Sequence, residues 1–292
     1  MGILSGLGGV GLSGLENMDI FEDEEKAKES AKETAKETVK AKTAVAKIEE
    51  KDIVFERNYT CPVCGEVFSS KSVRSGRSKL LGTDTDLRAK YDIIDPGKYD
   101  VILCYGCGYA ALARFYDKIT QAQAALIKEK ISPSVQITRY DDAFYSYPEA
   151  MERYKLALVN AVVKKAKFSE KAYICLKNAW VARGYRESLQ ADGSTDSKLI
   201  ADLEKQEDEL LQNAYKGFVE ARQNEDFPIC GMDQVTVDYL LAALAVHCKK
   251  YDVAGRMVTS VLTSSAASPR VKDKARDLKE QIQLEVKKSK DV

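Results

Sequence analysis

From about residue 119 onward, apolar residues recur every three or four positions, the spacing of one buried helix face. Thr120 opens the segment QAQAALIKEKI, and Ser132-Pro133 ends it. Ser146-Tyr147-Pro148-Glu149 has the form of a capping box. The stripe behind it is Met151, Tyr154, Leu158, Ala161 and Val162. Ser169 opens the next helix, with Ala172, Cys175, Leu176 and Ala179 aligned. A loop rich in Gly, Ser and Asp at 191–196 precedes a long helix through Leu199, Leu203, Leu210, Ala214 and Phe218. Residues 234–249 and 253–263 give two more. Ser268-Pro269 starts the last helix as cap and first residue, with the stripe Val271, Ala275, Leu278, Ile282 and Val286.

Consecutive helices of this kind predict an α-solenoid or a helical bundle. Ala214, Phe218 and Ala221 fit the A-x-x-x-F-x-x-A spacing of a second tetratricopeptide helix. Tyr251, Ala254, Val258 and Val261 form a poorer copy. Ala254 lies 40 residues after Ala214, against a regular period of ~34, so any repeat is irregular.

The first 118 residues are patterned differently. Ile53–Thr60 and Tyr99–Leu103 read as strands, the second preceded by an Asp95-Pro96-Gly97 turn. Upstream, Gly6, Gly8 and Gly11 match G-x-G-x-x-G, but no strand precedes them and an acidic run (Glu22–Glu25) follows. A flexible or partner-binding apolar tail is therefore expected there, with Leu4, Leu7, Leu12, Leu15 and Met18 free to dock on a partner or on the chain itself. Residues 28–43 repeat every four positions, with i,i+3 pairs such as Glu29–Lys32 and almost no apolar stripe, as in a charged spacer.

Composition narrows the function. The 292 residues carry 45 basic and 45 acidic side chains, so a strongly basic whole-chain nucleic-acid binder is excluded, though a local patch is not. Hydrophobic residues make up 45%, enough for a core. The chain has no apolar run long enough to span a bilayer, and its start lacks a positive n-region, which predicts a cytoplasmic protein. Seven cysteines are too sparse for a disulfide scaffold, and the single histidine, His247, leaves no His-based triad or multi-His site.

Chemistry concentrates in four cysteines. Cys61 and Cys64 sit in TCPVCG, and Cys104 and Cys107 in LCYGCGY. Two residues between thiols let both sulfurs reach one ion, and the Gly65 and Gly108 that follow can take φ > 0 and turn the backbone toward the sulfurs. Two such knuckles supply four thiolates, a closed tetrahedral shell for one structural Zn²⁺ per chain. The 39 residues between the knuckles exceed a compact ribbon, so an insertion must loop out. A rival reading takes Cys61-Pro62-Val63-Cys64 as a redox dithiol, which wants a helix N-terminus and a βαβ unit that the pattern does not offer. Iron–sulfur ligation or free thiols remain further alternatives. Cys175 reads as a buried small hydrophobe, and His247 and Cys248 are adjacent and poorly placed to chelate together.

Within the insertion, Lys71, Arg74, Arg77 and Lys79 lie among serines and read either as a candidate anion or nucleic-acid contact or as a solvated loop paired with the acids that follow. Asp84 and Asp86 read as a turn or cap rather than a cation site. Tyr140, Tyr145, Tyr147 and Tyr154 cluster; they are either a groove for a peptide or helix of a partner or packed core rings with surface hydroxyls.

The segment with Cys61, Cys64, Arg74, Arg77, Asp84, Asp86, Cys104, Cys107 and Tyr109 resembles an uncharacterised bacterial family, domain of unknown function 2225, over about residues 53–230. One departure is Tyr105, where many members carry proline. The resemblance implies the zinc knuckles and the helical repeats and implies no activity. The expected fold is mainly α with a small β zinc-ribbon-like module and a tetratricopeptide-like α-solenoid or bundle. Its expected divisions are a tail (1–52), the module (53–118) and the helical domain (119–292). The expected function is a non-enzymatic zinc scaffold that binds a protein partner. The alternatives are a nucleic-acid-associated zinc module and a thiol redox protein.

Overall fold

The computed structural model describes residues 9, 11, 12, 14, 49–139 and 142–290. The charged repeat and most of the apolar tail lie outside these residues, as does Tyr140. Leu12 is described and is only 2% exposed, inside the main apolar core, so this tail leucine docks on the chain's own body. Gly11 approaches the Ser134 carbonyl so closely that a Cβ would sit 1.9 Å from its oxygen.

Among the described residues a short turn of helix, α1 (Glu50–Ile53), precedes three antiparallel strand pairs. The first joins β1 (Val54–Thr60) to β2 (Val67–Val73), with Val54 opposite Val73 and Thr60 opposite Val67. The second joins β3 (Leu80–Thr83) to β4 (Ala89–Tyr91) inside the insertion, a pairing the sequence pattern does not reveal. The third joins β5 (Val101–Leu103) to β6 (Ala110–Leu112), whose residues are all buried. The expected strands thus correspond to β1 and β5, and the Asp95-Pro96-Gly97 turn becomes a 3₁₀ turn at Pro96–Tyr99 capped by the Asp95 side chain.

Helices follow: α2 (Gln121–Lys130), α3 (Tyr147–Val163), α4 (Phe168–Ala191), α5 (Ser197–Asn224), α6 (Gln234–His247), α7 (Tyr251–Thr263) and α8 (Pro269–Lys290). Among the described residues the chain is mainly helical, with eight helices. From α3 to α8 each helix packs on the next, and α3 also packs on β5 and β6. One apolar core runs from Leu12 and Cys61 to Ile282, so the knuckles and the helices share it. Among the described residues no helix is long and apolar enough to cross a membrane.

Two caps differ from the sequence reading. The Ser146 hydroxyl accepts from the Glu149 N–H at 3.2 Å, but the Glu149 carboxylate turns away to Arg153, so only half of the box forms. Helix α4 starts at Phe168, and its exposed donors are met from a distance: the Ser169 N–H and hydroxyl both reach the Glu225 carboxylate beyond α5. A capping partner 56 residues away leaves no local signal.

Candidate metal centre

Each C-x-x-C forms the turn of a hairpin, between β1 and β2 and between β5 and β6. The two turns use the same backbone bonds. The Cys61 N–H donates to the Glu66 carbonyl at 2.8 Å and the Gly65 N–H to the Cys61 carbonyl at 2.9 Å. In the second turn the Cys104 N–H donates to Tyr109 at 2.9 Å and the Gly108 N–H to Cys104 at 2.9 Å. Gly65 and Gly108 take φ of 81° and 73°, the left-handed values that a side chain would resist.

The two turns face each other. Cys61, Cys64, Cys104 and Cys107 bring their four sulfurs within 4.8 Å of one another, and this group could hold a metal ion. Cys61 lies 3.5 Å from Cys107 and Cys64 lies 3.6 Å from Cys104, sulfur to sulfur. A tetrahedron with ~2.3 Å bonds places its sulfurs about 3.8 Å apart, so the spacing fits one four-coordinate metal ion. Three of the four cysteines are buried and Cys64 is exposed.

With protons alone the group is frustrated. Hydrogen bonds from Cys104 and then Cys107 draw the Cys61 thiol well below its usual range, aided by the backbone N–H groups of Cys64 and Val63. The Cys107 thiol is driven up by its bonds to Cys104 and Cys61 and by burial. A divalent cation held there would stabilise all four thiolates at once.

A shell of side chains fixes the second turn to the helices. Asn160 on α3 donates to the Gly108 carbonyl at 3.0 Å, and the Ser132 hydroxyl donates to the Cys107 carbonyl at 2.9 Å. A Cβ on Gly108 would come within 2.7 Å of Val135. Tyr116 is fully buried among Tyr59, Phe68 and Tyr109, and its hydroxyl finds no hydrogen-bond partner among the described residues. These residues went unnoticed in the sequence. Asn160 offered the one signal, a polar side chain within an apolar helix stripe.

A profile of the bacterial family described as "Uncharacterized protein conserved in bacteria (DUF2225)" matches residues 54–282. The chain belongs to this family. No curated protein and no solved structure matches it. The family carries no catalytic description, so its membership decides neither for nor against an enzyme.

The other candidate positions of this DUF2225 chain fall away from the sulfurs. Lys71 lies over the Tyr145 ring at 5.0 Å and Arg74 over Phe55 at 5.1 Å, while Arg74, Arg77 and Lys79 are exposed in the loop between β2 and β3. Asp84 and Asp86 occupy the turn between β3 and β4 and are clamped by Arg183 of α4. Burial opposes the Asp84 charge, but hydrogen bonds from Lys90 and Arg183 outweigh it and hold the carboxyl below its usual range. Tyr154 is fully buried and its hydroxyl donates to the Gly97 carbonyl at 2.9 Å. Tyr145 is buried against Tyr99, and Tyr147 stacks on Tyr185 and donates toward Asp95. Cys175 and Cys230 are buried, and burial pushes both thiols up to about 12. His247 meets Asp208 at 2.8 Å.

Proposed function

We propose that Cys61, Cys64, Cys104 and Cys107 bind one structural zinc ion and that the chain is a zinc-fixed adaptor, without catalysis of its own. The observation that carries the reading is the convergence of four sulfurs, from two matching hairpin turns, into one group. Four thiolates fill a tetrahedral shell and leave no open position for substrate, the mark of a structural site. Cys61 opens a hairpin turn rather than a helix, which removes the N-terminal field that a redox dithiol draws on.

The helical segment at 119–292 is the proposed partner-binding unit, beside a zinc module at 53–118 and a tail at 1–52. Its tetratricopeptide-like reading is supported by the complete burial of Ala214, Phe218, Ala221 and Ala254, small and aromatic positions at which successive helices meet. A peptide or helix laid against the array is the proposed mode, and the cytoplasm, where thiols stay reduced, the proposed location. A pull-down with the zinc-loaded chain tests it: a specific protein partner lost on chelation supports the adaptor, and a monomer with no specific partner contradicts it.

A second reading rests on Arg74, Arg77 and Lys79, exposed together in one loop. Phosphate contacts there would make nucleic-acid binding strongly salt-dependent. A salt slope unchanged by Arg74→Ala with Arg77→Ala would remove it.

A further inference from the structure

The four sulfurs are unequal, and the difference runs along one edge of the group. Cys61 and Cys107 are buried, beside the fully buried rings of Tyr109 and Tyr116. Cys64 is the exposed member, and the sulfur of Cys104, which is itself buried, lies 3.6 Å from it. The Glu66 carboxylate stands 3.6 Å from that same Cys104 sulfur. Its charge opposes the thiolate that a metal requires there. Arg139, the basic group nearest Glu66, is 3.9 Å away and compensates weakly. The Cys64–Cys104 edge is therefore open to solvent on one side and electrostatically weakened on the other.

We propose that this edge is a peroxide-sensitive latch: hydrogen peroxide joins Cys64 to Cys104 across the two knuckles and expels the metal. The inference rests on the zinc reading above. The Cys64 thiolate attacks one peroxide oxygen; an S–O bond forms, the O–O bond breaks and hydroxide leaves. The Cys104 thiolate then attacks the Cys64 sulfur; the S–S bond forms, the S–O bond breaks and a second hydroxide leaves. The two thiolates lose two electrons, and the peroxide, with two protons, becomes two waters.

The cross-knuckle pairing decides the consequence. The sulfurs must close from 3.6 Å to ~2 Å, the length of a disulfide. Both leave the ion as they do so, one from each knuckle. Cys61 and Cys107 remain, and two thiolates do not complete a four-coordinate shell. The hairpin of β5 and β6 stays packed on α3, whereas the turn between β1 and β2 exchanges a four-coordinate tie for a single disulfide and is held less rigidly.

The test uses the full-length zinc-loaded chain and hydrogen peroxide. Zinc release is followed with a chromogenic chelator, and the oxidised chain is digested without reductant and mapped. The expected result is about one zinc released per disulfide formed, a Cys64–Cys104 linked peptide, and faster amide exchange in residues 54–73 than in 101–112. Dithiothreitol with added zinc restores both metal content and slow exchange. A disulfide within either C-x-x-C, or peroxide that leaves zinc bound, overturns the latch. Protein that holds no zinc before peroxide is added overturns the zinc reading instead, so the two failures are distinct.

Discussion

Replacing Arg183 with methionine keeps most of the side-chain stem and removes the charge that ties the insertion to the helices. The Arg183 guanidinium donates from Nη1 to Asp84 at 2.9 Å, from Nη2 to Asp86 at 2.7 Å and from Nε to Glu207 at 2.7 Å. In Arg183→Met, Asp84 keeps Lys90 at 2.9 Å and Glu207 keeps Arg186 at 2.9 Å. Asp86, 8% exposed, keeps only a 3.4 Å contact from the Arg88 N–H. Breaking a buried pair costs ~3–5 kcal/mol, and two of the three acids retain partners, so the expected loss is about 3 kcal/mol. At roughly 2–3 °C per kcal/mol for a chain of this size, the melting temperature falls by about 6–9 °C. Adding Asp86→Asn removes the stranded charge and recovers roughly 1 kcal/mol or more of the loss. Thermal unfolding followed by far-ultraviolet circular dichroism measures the parent, Arg183→Met, Asp86→Asn and the double variant. A shift within 2 °C of the parent, or strictly additive losses in the double variant, would refute the clamp.

Other outcomes follow from the same contacts. Gly108→Ala should weaken metal retention against a chelator more than Gly65→Ala does: both take a left-handed backbone costing ~1–2 kcal/mol, but only Gly108 would also push its Cβ into Val135; equal effects would contradict the packing of the second turn. Tyr154→Phe leaves the half-buried Gly97 carbonyl with only the longer 3.4 Å bond from the Asp100 N–H and should cost ~1 kcal/mol in urea unfolding, so an unchanged midpoint would argue against that bond. The lowered Asp84 carboxyl contributes stability that is full above the ~3.9 of an unfolded aspartate and is lost as pH falls through its lower folded value. Asp84→Asn should therefore be less stable at pH 7 and show a shallower acid decline, and an unaltered decline would remove Asp84 from the acid response.

Local chemistry explains what could be read in the sequence. Two C-x-x-C-G segments encode their own turns, because the spacing and the glycine set the local backbone. The helix stripes of 147–163 and 269–290 likewise state their buried faces. Long-range pairings left no such trace. The partner of Asp86 lies 97 residues away on α4, so the insertion looked like a solvated polar loop. The Tyr145 hydroxyl caps the Lys71 N–H, 74 residues earlier, and nothing in either neighbourhood announces the contact. Leu12, set among glycines, gave no periodicity to indicate that it is buried.

The measurement closest to the main claim is native mass spectrometry of untagged chain purified without chelator, alongside Cys104→Ser. The expected result is the mass of one zinc ion per chain, with Cys61, Cys64, Cys104 and Cys107 unreactive to a thiol reagent until the metal is stripped, and loss of that mass in Cys104→Ser. A metal-free chain with reactive Cys61 and Cys64, or a variant that holds zinc as tightly as the parent, would contradict a single four-cysteine site.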